Sequence, residues 1–440
     1  MMVVANPPVA AAGPPTPARR SAHELFLPRA SLQIRYLALV CLLYSIPNLL
    51  GFAFAYWLDL VFVDLIPLQV LASEVELLAV AFTVLGSLAF VALVAYLGTR
   101  SFKGGVHWFP RRSLGRLALL LQILSLVSLL AFGYGRAGSE AESRNALVIL
   151  TSYLKADLIF LLYYAHVRPR LFPIYNFGLY VILSTLSGWS GFWLTLLLIE
   201  GYFSISGAKK ALKPRALLAL GVLAIAAYPI AAQIRDSVRG DTADTGTGLV
   251  SYFRLLNRLD HLSNVVMIAQ DAQELGTAYK RGRVAPWYTN GVTQLVDRFT
   301  GRGADPFQRY LTTEYLIGGV EENAGWYSQV GVAGWLFILP AVEIPIYLLY
   351  VAMLIYLPYW LVGRSLRSPS IIPMLHVATF GFVLHGWLEV HAAFIATVAV
   401  YIVLVRLGFG GRVGVLAPPI AVIGPSRTLL HRGTSRRTTS

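Results

Sequence analysis

The amino-acid sequence predicts an all-α polytopic membrane protein, and three observations carry that prediction. Of the 440 residues, 56% are hydrophobic and only 13% are charged, against about 25% charged in an ordinary soluble domain. The apolar residues lie in blocks of about 20, the length with which a helix crosses roughly 30 Å of hydrocarbon. The basic residues gather in alternate connecting segments, as expected of a multi-pass chain that keeps its positive segments inside.

Residues 1 to 35 are rich in Pro, Ala and Arg and hold no apolar core of a cleavable signal, so they are expected to be a disordered cytoplasmic leader. The blocks 36 to 58, 75 to 97, 114 to 132, 145 to 165 and 214 to 232 each have the length of a span. Between the first two, 59 to 74 carries Asp59 and Asp64 and no base, as an outer connection should. Residues 174 to 203 are flanked by Arg168 and Arg170 on one side and Lys209 and Lys210 on the other. Both ends must then lie inside, yet the stretch is too short for two full crossings. A short hairpin breaking at Ser187-Gly188-Trp189-Ser190-Gly191 is expected, because non-spanning backbone at depth survives only against protein or a water-filled cavity.

Residues 233 to 330 form one large polar segment with ten bases and eleven acids, placed outside by the alternation of sides. The stretch 331 to 361 reads as one long span kinked near Pro340 and Pro345. Two shorter apolar stretches, 370 to 385 and 392 to 407, and a basic cytoplasmic tail, 408 to 440, complete the chain. With the hairpin halves counted, the chain has about 10 transmembrane helices: an N-terminal bundle over 36 to 232 and C-terminal helices over 331 to 407, around one extracytoplasmic helical loop.

The net charge of +14 is spread over these inner segments rather than gathered in one patch. Arg19, Arg20, Arg29 and Arg35, then Arg100 to Arg116, Lys209 to Arg215, Arg364 and Arg367, and the tail from Arg406 onward share a single acid, Glu24. Both termini are therefore expected in the cytoplasm. Nucleic acid loses its support as a partner. The one cysteine, Cys41, lies in the first apolar block, which excludes a disulfide framework and a Cys-based zinc site. No HExxH pattern or acidic metal loop occurs, so neither a metal nor another cofactor is indicated. Gly301-Arg302-Gly303 and Gly318-Gly319 lack the Lys-Ser/Thr of a phosphate-binding loop, which disfavours nucleotide hydrolysis.

Candidate chemistry concentrates in the polar segment. Phe253, Leu256, Leu259, Leu262, Val266 and Ala269 recur at helical spacing and predict an amphipathic helix over 249 to 272 near the membrane surface. On it Arg254, Arg258 and His261 stand at i, i+4 and i+7, stacking two guanidiniums and an imidazole along about 10 Å of one face. Two Arg at i, i+4 repel, and a phosphate gripped between them would remove that cost. The competing reading is an Arg pair that meets lipid head groups or loop acids. Arg235, Arg239, Lys280, Arg281 and Arg283 lie outside against the positive-inside bias and could line the same anionic pocket. Asp260, His261 and Glu314 are candidates for a proton-accepting group, with Glu321, Glu322 and the trio His385, Glu389 and His391 as further acids and imidazoles. Lys155 and Asp157 stand mid-span in 145 to 165, where ionisable groups usually face the interior.

The layout resembles the Wzy-type polymerases of O-antigen and exopolysaccharide repeat units. The resemblance rests on the hairpin at Leu186-Ser187-Gly188, the Lys-rich inner turn, a span ending in Arg and the long outer loop. Within the loop it rests on Arg258-Leu259-Asp260-His261-Leu262, Gly276-Thr277-Ala278-Tyr279, Pro286, and Glu321-Glu322 running into Trp326-Tyr327-Ser328-Gln329-Val330-Gly331. It covers roughly residues 174 to 410 and departs from the family at the hairpin, where Trp189 and Ser190 take the place of an Arg. It implies a nucleotide-independent membrane glycosyltransferase of a bacterial inner membrane, moving a glycan from polyprenyl pyrophosphate onto the next lipid-linked repeat unit. A chain-length regulator and a flippase would be its partners, beside the membrane lipids. The pyrophosphate would fall to Arg235, Arg254, Arg258, Arg281 and Arg283, and the base would be Asp260, His261 or Glu314. An O-antigen ligase or a lipid-linked oligosaccharide flippase are the alternatives.

Overall fold

The computed structural model describes residues 30–63, 66–102, 107–133, 147, 151, 154–189, 191–208, 211–239, 248–289, 307–312 and 330–413. Among the described residues six helices are long and apolar enough to cross a membrane: Ala30–Leu58 (α1), Glu74–Thr99 (α2), Arg112–Phe132 (α3), Pro214–Ile234 within α7 (Pro214–Arg239), Ile344–Ser365 (α13) and Leu388–Phe409, whose α-helical part is Leu388–Leu404 (α15). The count of about ten expected from the sequence needs the shorter apolar helices as well. Those are Ala156–Val167 (α4), Ile174–Leu186 (α5), Phe192–Ile205 (α6) and the stretch Pro369–Leu384, built around Ile372–Ala378 (α14).

The long helices are apolar all round, yet they are not symmetric in burial. On α1, Gln33, Tyr36, Leu37, Val40, Tyr44, Pro47, Asn48, Gly51 and Ala55 are buried, at helical spacing. Ile34, Leu39, Leu42, Ile46 and Leu49 on the other faces are exposed. An apolar surface of that extent is stable in lipid rather than water. The buried stripe is the one that carries polar atoms. α2 starts at a capping box, with Ser73 and Glu76 satisfying each other's backbone N–H groups.

Several expectations are corrected. The block 145 to 165 is not one described helix: α4 begins at Ala156, and Lys155 stands before it with ψ 88, outside helical geometry. Asp157 is therefore in a first helical turn, where a negative charge complements the helix dipole, rather than at mid-span. The expected kinked span from 331 is two helices, Gly331–Ile338 (α12) and α13, parted at Leu339 to Glu343. The reason is local, since Leu339 precedes Pro340 and adopts ψ 141, the extended conformation that a following proline imposes. Pro345 then sits in the first turn of α13, where its missing N–H costs nothing. Residues 174 to 203 do form two short helices, α5 and α6, with Gly188 at φ 75 in the turn between them.

Two small antiparallel ribbons add to the helices. Leu60–Val63 (β1) pairs with Ile66–Gln69 (β2). His107–Pro110 (β3) pairs with Gly410–Val413 (β4), so the tail expected from residue 408 begins as structure. The second ribbon joins the loop before α3 to the end of the last helix, and Trp108 N–H also donates to Leu366 O after α13. Three basic segments that the sequence assigns to one side thus meet at one end of the bundle.

Arg168 also departs from its expected role. It is buried and grips Glu200 of α6 with two nitrogens, one at 2.7 Å, while Tyr164 donates to the same carboxylate at 2.6 Å. It is a packed ion pair rather than a free flanking charge.

Candidate functional site

The polar segment does not form the single surface helix that its apolar spacing predicts. Gly248–Asn257 (α8) and Leu262–Gln270 (α9) are separate helices, and Ala272–Lys280 (α10) follows. The break at Arg258 to His261 has an identifiable cause. Asp260 Oδ1 accepts from the N–H groups of Leu262 (3.0 Å) and Ser263 (3.2 Å), and Ser263 Oγ donates to Oδ2. The carboxylate thereby caps a new helix start. Asn48 of α1 completes the cap: its Oδ1 accepts from His261 N and Leu262 N, both at 2.9 Å, and its Nδ2 donates to Leu259 O at 3.2 Å. Every residue from Leu262 to Ile268 is buried, so α9 is a core helix among α1, α2 and α12 instead of a helix lying on the surface. Arg258 and His261 consequently do not share one face of a continuous helix. The side chains of Arg254 and Arg235 lie outside the described residues, as does Glu314.

The broken turn nonetheless brings chemistry together. His261 is 3% exposed, and neither ring nitrogen has a hydrogen-bond partner. Its ring stacks on Tyr44 of α1, centroids 6.0 Å apart, and meets His385 edge-on at 4.5 Å. Tyr44 Oη is 3.3 Å from His385 Nε2, and His385 stacks on Trp387 at 5.2 Å. Asn257 Nδ2, at the end of α8, and Asn264 Oδ1, in the first turn of α9, are also buried without partners. Unsatisfied buried polar atoms cost about 1–3 kcal/mol each, so three such side chains around one turn mark a place built for something other than stability.

The electrostatics follow from burial and one cation. Burial lowers the His261 imidazole to about 4, leaving it neutral at pH 7. Arg258 lies near enough for its charge to act on the His385 imidazole. Asp260 is raised to about 6 by burial, against the lowering effect of its hydrogen bonds to Ser263 and Leu262.

Glycines let the backbone close in. Gly331 (φ 65) and Gly386 (φ 82) have left-handed backbones, and a Cβ on Gly386 would stand 2.8 Å from Gly331 N. A Cβ on Gly51 of α1 would meet the Asp260 carboxylate at 2.5 Å. Gln308, in the short helix Phe307–Tyr310 (α11), donates to Gly386 O at 2.6 Å. Tyr44, Asn48, Gly51, Arg258, Asp260, His261, Gln308 and His385 therefore converge from four separate stretches of chain.

Other sequence candidates go elsewhere. Lys280, Arg281 and Arg283 are exposed at and after the end of α10. His391 turns away from His385 and bonds Leu354 O of α13 at 3.1 Å. Among the described residues no group of three or more His, Cys, Asp or Glu is placed to hold a metal ion. Tyr44, Asn48 and Gln308 were not singled out by sequence, and the only signal for the first two is their recurrence on the buried stripe of an apolar span.

Comparison with known proteins finds no match: no family model, no curated protein and no solved structure is similar to the chain.

Proposed function

We propose that the chain is a membrane glycosyltransferase that polymerises polyprenyl-pyrophosphate-linked oligosaccharide repeat units on the outer side of a bacterial inner membrane. The observation that carries this reading is His261, buried and unpartnered, on the same turn as Arg258 and packed against Tyr44 and Asn48 of an apolar span. Glycosyl transfer from a diphosphate requires a cation for the leaving group and a proton acceptor for the incoming hydroxyl. Arg258 supplies the first with a side chain shaped for phosphate. His261, neutral at pH 7, supplies the second.

The step balances as a substitution at the anomeric carbon. The acceptor hydroxyl oxygen bonds to that carbon, the bond to the diphosphate oxygen breaks, the hydroxyl proton passes to a His261 ring nitrogen, and the polyprenyl diphosphate leaves with its charge against Arg258. The negative charge released on the leaving group favours the imidazolium that forms beside it. Asp260 is assigned to positioning instead of base catalysis, because its carboxylate accepts from Leu262, Ser263 N–H and the Ser263 hydroxyl. This choice narrows the sequence reading, which left Asp260, His261 and Glu314 open.

The test is chain growth measured with radiolabelled lipid-linked repeat units and resolved on gels. Arg258→Ala and His261→Gln are each expected to slow polymerisation on the order of a hundredfold or more, as for loss of one group aimed at developing charge. Arg258→Lys is expected to retain part of the rate. Undiminished chain growth in Arg258→Ala would remove the assignment.

A further inference from the structure

Where α13 and α15 end, the β3–β4 ribbon builds a second basic locus that plays no part in glycosyl transfer. Trp108 of β3, Arg364 and Ser365 at the end of α13, Arg367 just after it, Arg406 in the turn that follows α15, and Arg412 of β4 line one cleft of about 230 Å³. Arg406 and Arg412 both lie over the Trp108 ring, at 5.0 and 5.2 Å from its centroid. Among the described residues no carboxylate lines the cleft.

The backbone works to hold this arrangement. Arg367 has φ 54, a left-handed conformation uncommon for a side chain with a Cβ. It is held there by its N–H to Val362 O, while its own carbonyl faces His107 Nδ1 of β3. Arg406 donates to Ser365 O through Nε at 3.2 Å and through Nη2. Four guanidiniums lining one cleft repel one another, and left-handed backbone such as that of Arg367 clusters where a ligand is held. A phosphate is the anion whose oxygens match several guanidinium forks at once.

The surroundings choose the source of the phosphate. The cleft sits where two apolar helices end, and the faces beside it are bare hydrocarbon: Trp360 on α13 is 43% exposed, and Val403 and Leu407 beside Arg406 are 51% and 77% exposed. A basic pocket bordered by apolar helix surface fits a molecule with an anionic head and acyl chains. We propose that this cleft binds the phosphate head group of an anionic phospholipid, with the acyl chains lying along α13 and α15. The site is independent of the glycosyl-transfer reading and would stand if that reading failed.

The experiment uses the full chain purified in a neutral detergent. Binding of short-chain phosphatidylglycerol is measured by native mass spectrometry and by the shift it produces in thermal unfolding, with phosphatidylcholine and inorganic phosphate as parallel arms. The double variant R364Q/R412Q leaves the Arg406 bonds to Ser365 intact and changes only exposed side chains. Expected is retention of phosphatidylglycerol over phosphatidylcholine, and an affinity about thirtyfold weaker in the double variant, roughly fivefold for each of the two cations removed beside a membrane surface. Raised salt should weaken binding to the wild type more than to the variant. Equal retention of the two lipids, or equal affinity in wild type and variant, would overturn the proposal. A shift from inorganic phosphate as large as that from the lipid would also overturn it, by making the site one for the free anion. Should the double variant fail to fold, Arg412→Gln alone is measured, with the same outcomes deciding.

Discussion

Asp260 and His261 are neighbours in the chain and burial pushes them in opposite directions, which makes the turn a sensitive place to read by pH. Asp260 is raised to about 6, so the folded state holds its proton where the unfolded chain has released it, and stability falls as pH climbs from about 4 to 6. His261 is lowered to about 4, so the unfolded chain binds a proton that the folded state refuses, and stability rises between about 4 and 6.5. The two slopes oppose each other across the same window. His261→Gln removes the rising slope, so its unfolding temperature relative to wild type is expected to fall as pH is raised from 4 to 6.5. Asp260→Asn, which can still cap α9, is expected to show the reverse trend. Thermal unfolding of both variants in detergent across that range checks the signs, and parallel curves for variant and wild type would show that these groups are not buried as described. Arg258 and His261 were legible in the sequence because a guanidinium and an imidazole stand out in an apolar period. Asn48 was not, because the inner face of a span and its lipid face use the same apolar residues, and only the fold reveals which polar atom in the stripe is aimed at a partner more than two hundred positions away.

Among the elements, the short helices depend on specific polar locks. α4 ends and α6 passes within reach of each other through Arg168, Glu200 and Tyr164, all buried. Removing one partner of a buried ion pair strands the other charge and costs about 3–5 kcal/mol, whereas replacing both with apolar groups is often neutral. Arg168→Met and Glu200→Met are therefore each expected to lower the unfolding temperature sharply, with the double variant recovering most of the loss; additive losses would show that the two do not act as a pair. A second lock runs from Tyr202 of α6 to Gln33 of α1 (2.7 Å), on to His376 of α14 (3.0 Å) and then to Tyr359 of α13 (2.8 Å). Block length alone made α1, α2, α3 and α7 readable, whereas the last long helix, Leu388–Phe409, reads in the sequence as a shorter stretch over 392 to 407 and the block 145 to 165 as a full span. The break between α8 and α9 was not readable: the apolar period runs through Leu256, Leu259, Leu262 and Val266 without interruption. What overrides it is the Asp260 carboxylate taking the N–H groups of the next turn while Asn48 holds the junction from α1. The division of 331 to 361 was half legible, since Pro340 and Pro345 were seen as a kink and the extended Leu339 before Pro340 makes it a full stop.

For the molecule as a whole, three of the basic segments come together. The loop before α3, the end of α13 and the end of α15 carry bases and meet at one end, while the turn at Arg258 to His261 is held on the buried stripe of α1 by Asn48. The two small ribbons were invisible in the sequence, because strands of four residues carry too little pattern to be seen beside helices of more than twenty. Of the two, β3–β4 matters more for the whole, since Arg111 N–H also donates to Phe409 O at 2.7 Å and fastens α3 to the final helix. A chain ended after Phe409 is expected to keep its helices but to lose the arginine cleft, seen as equal helicity by circular dichroism with faster protease cutting between 100 and 112.

The same ribbon sets an order of events. A membrane chain is threaded in from its N-terminus, so His107 to Pro110 emerge early and then wait, their edge unmatched, until the last helix has been laid down and delivers Gly410 to Val413. Closure of that end therefore waits until every helix from α3 to α15 has been made.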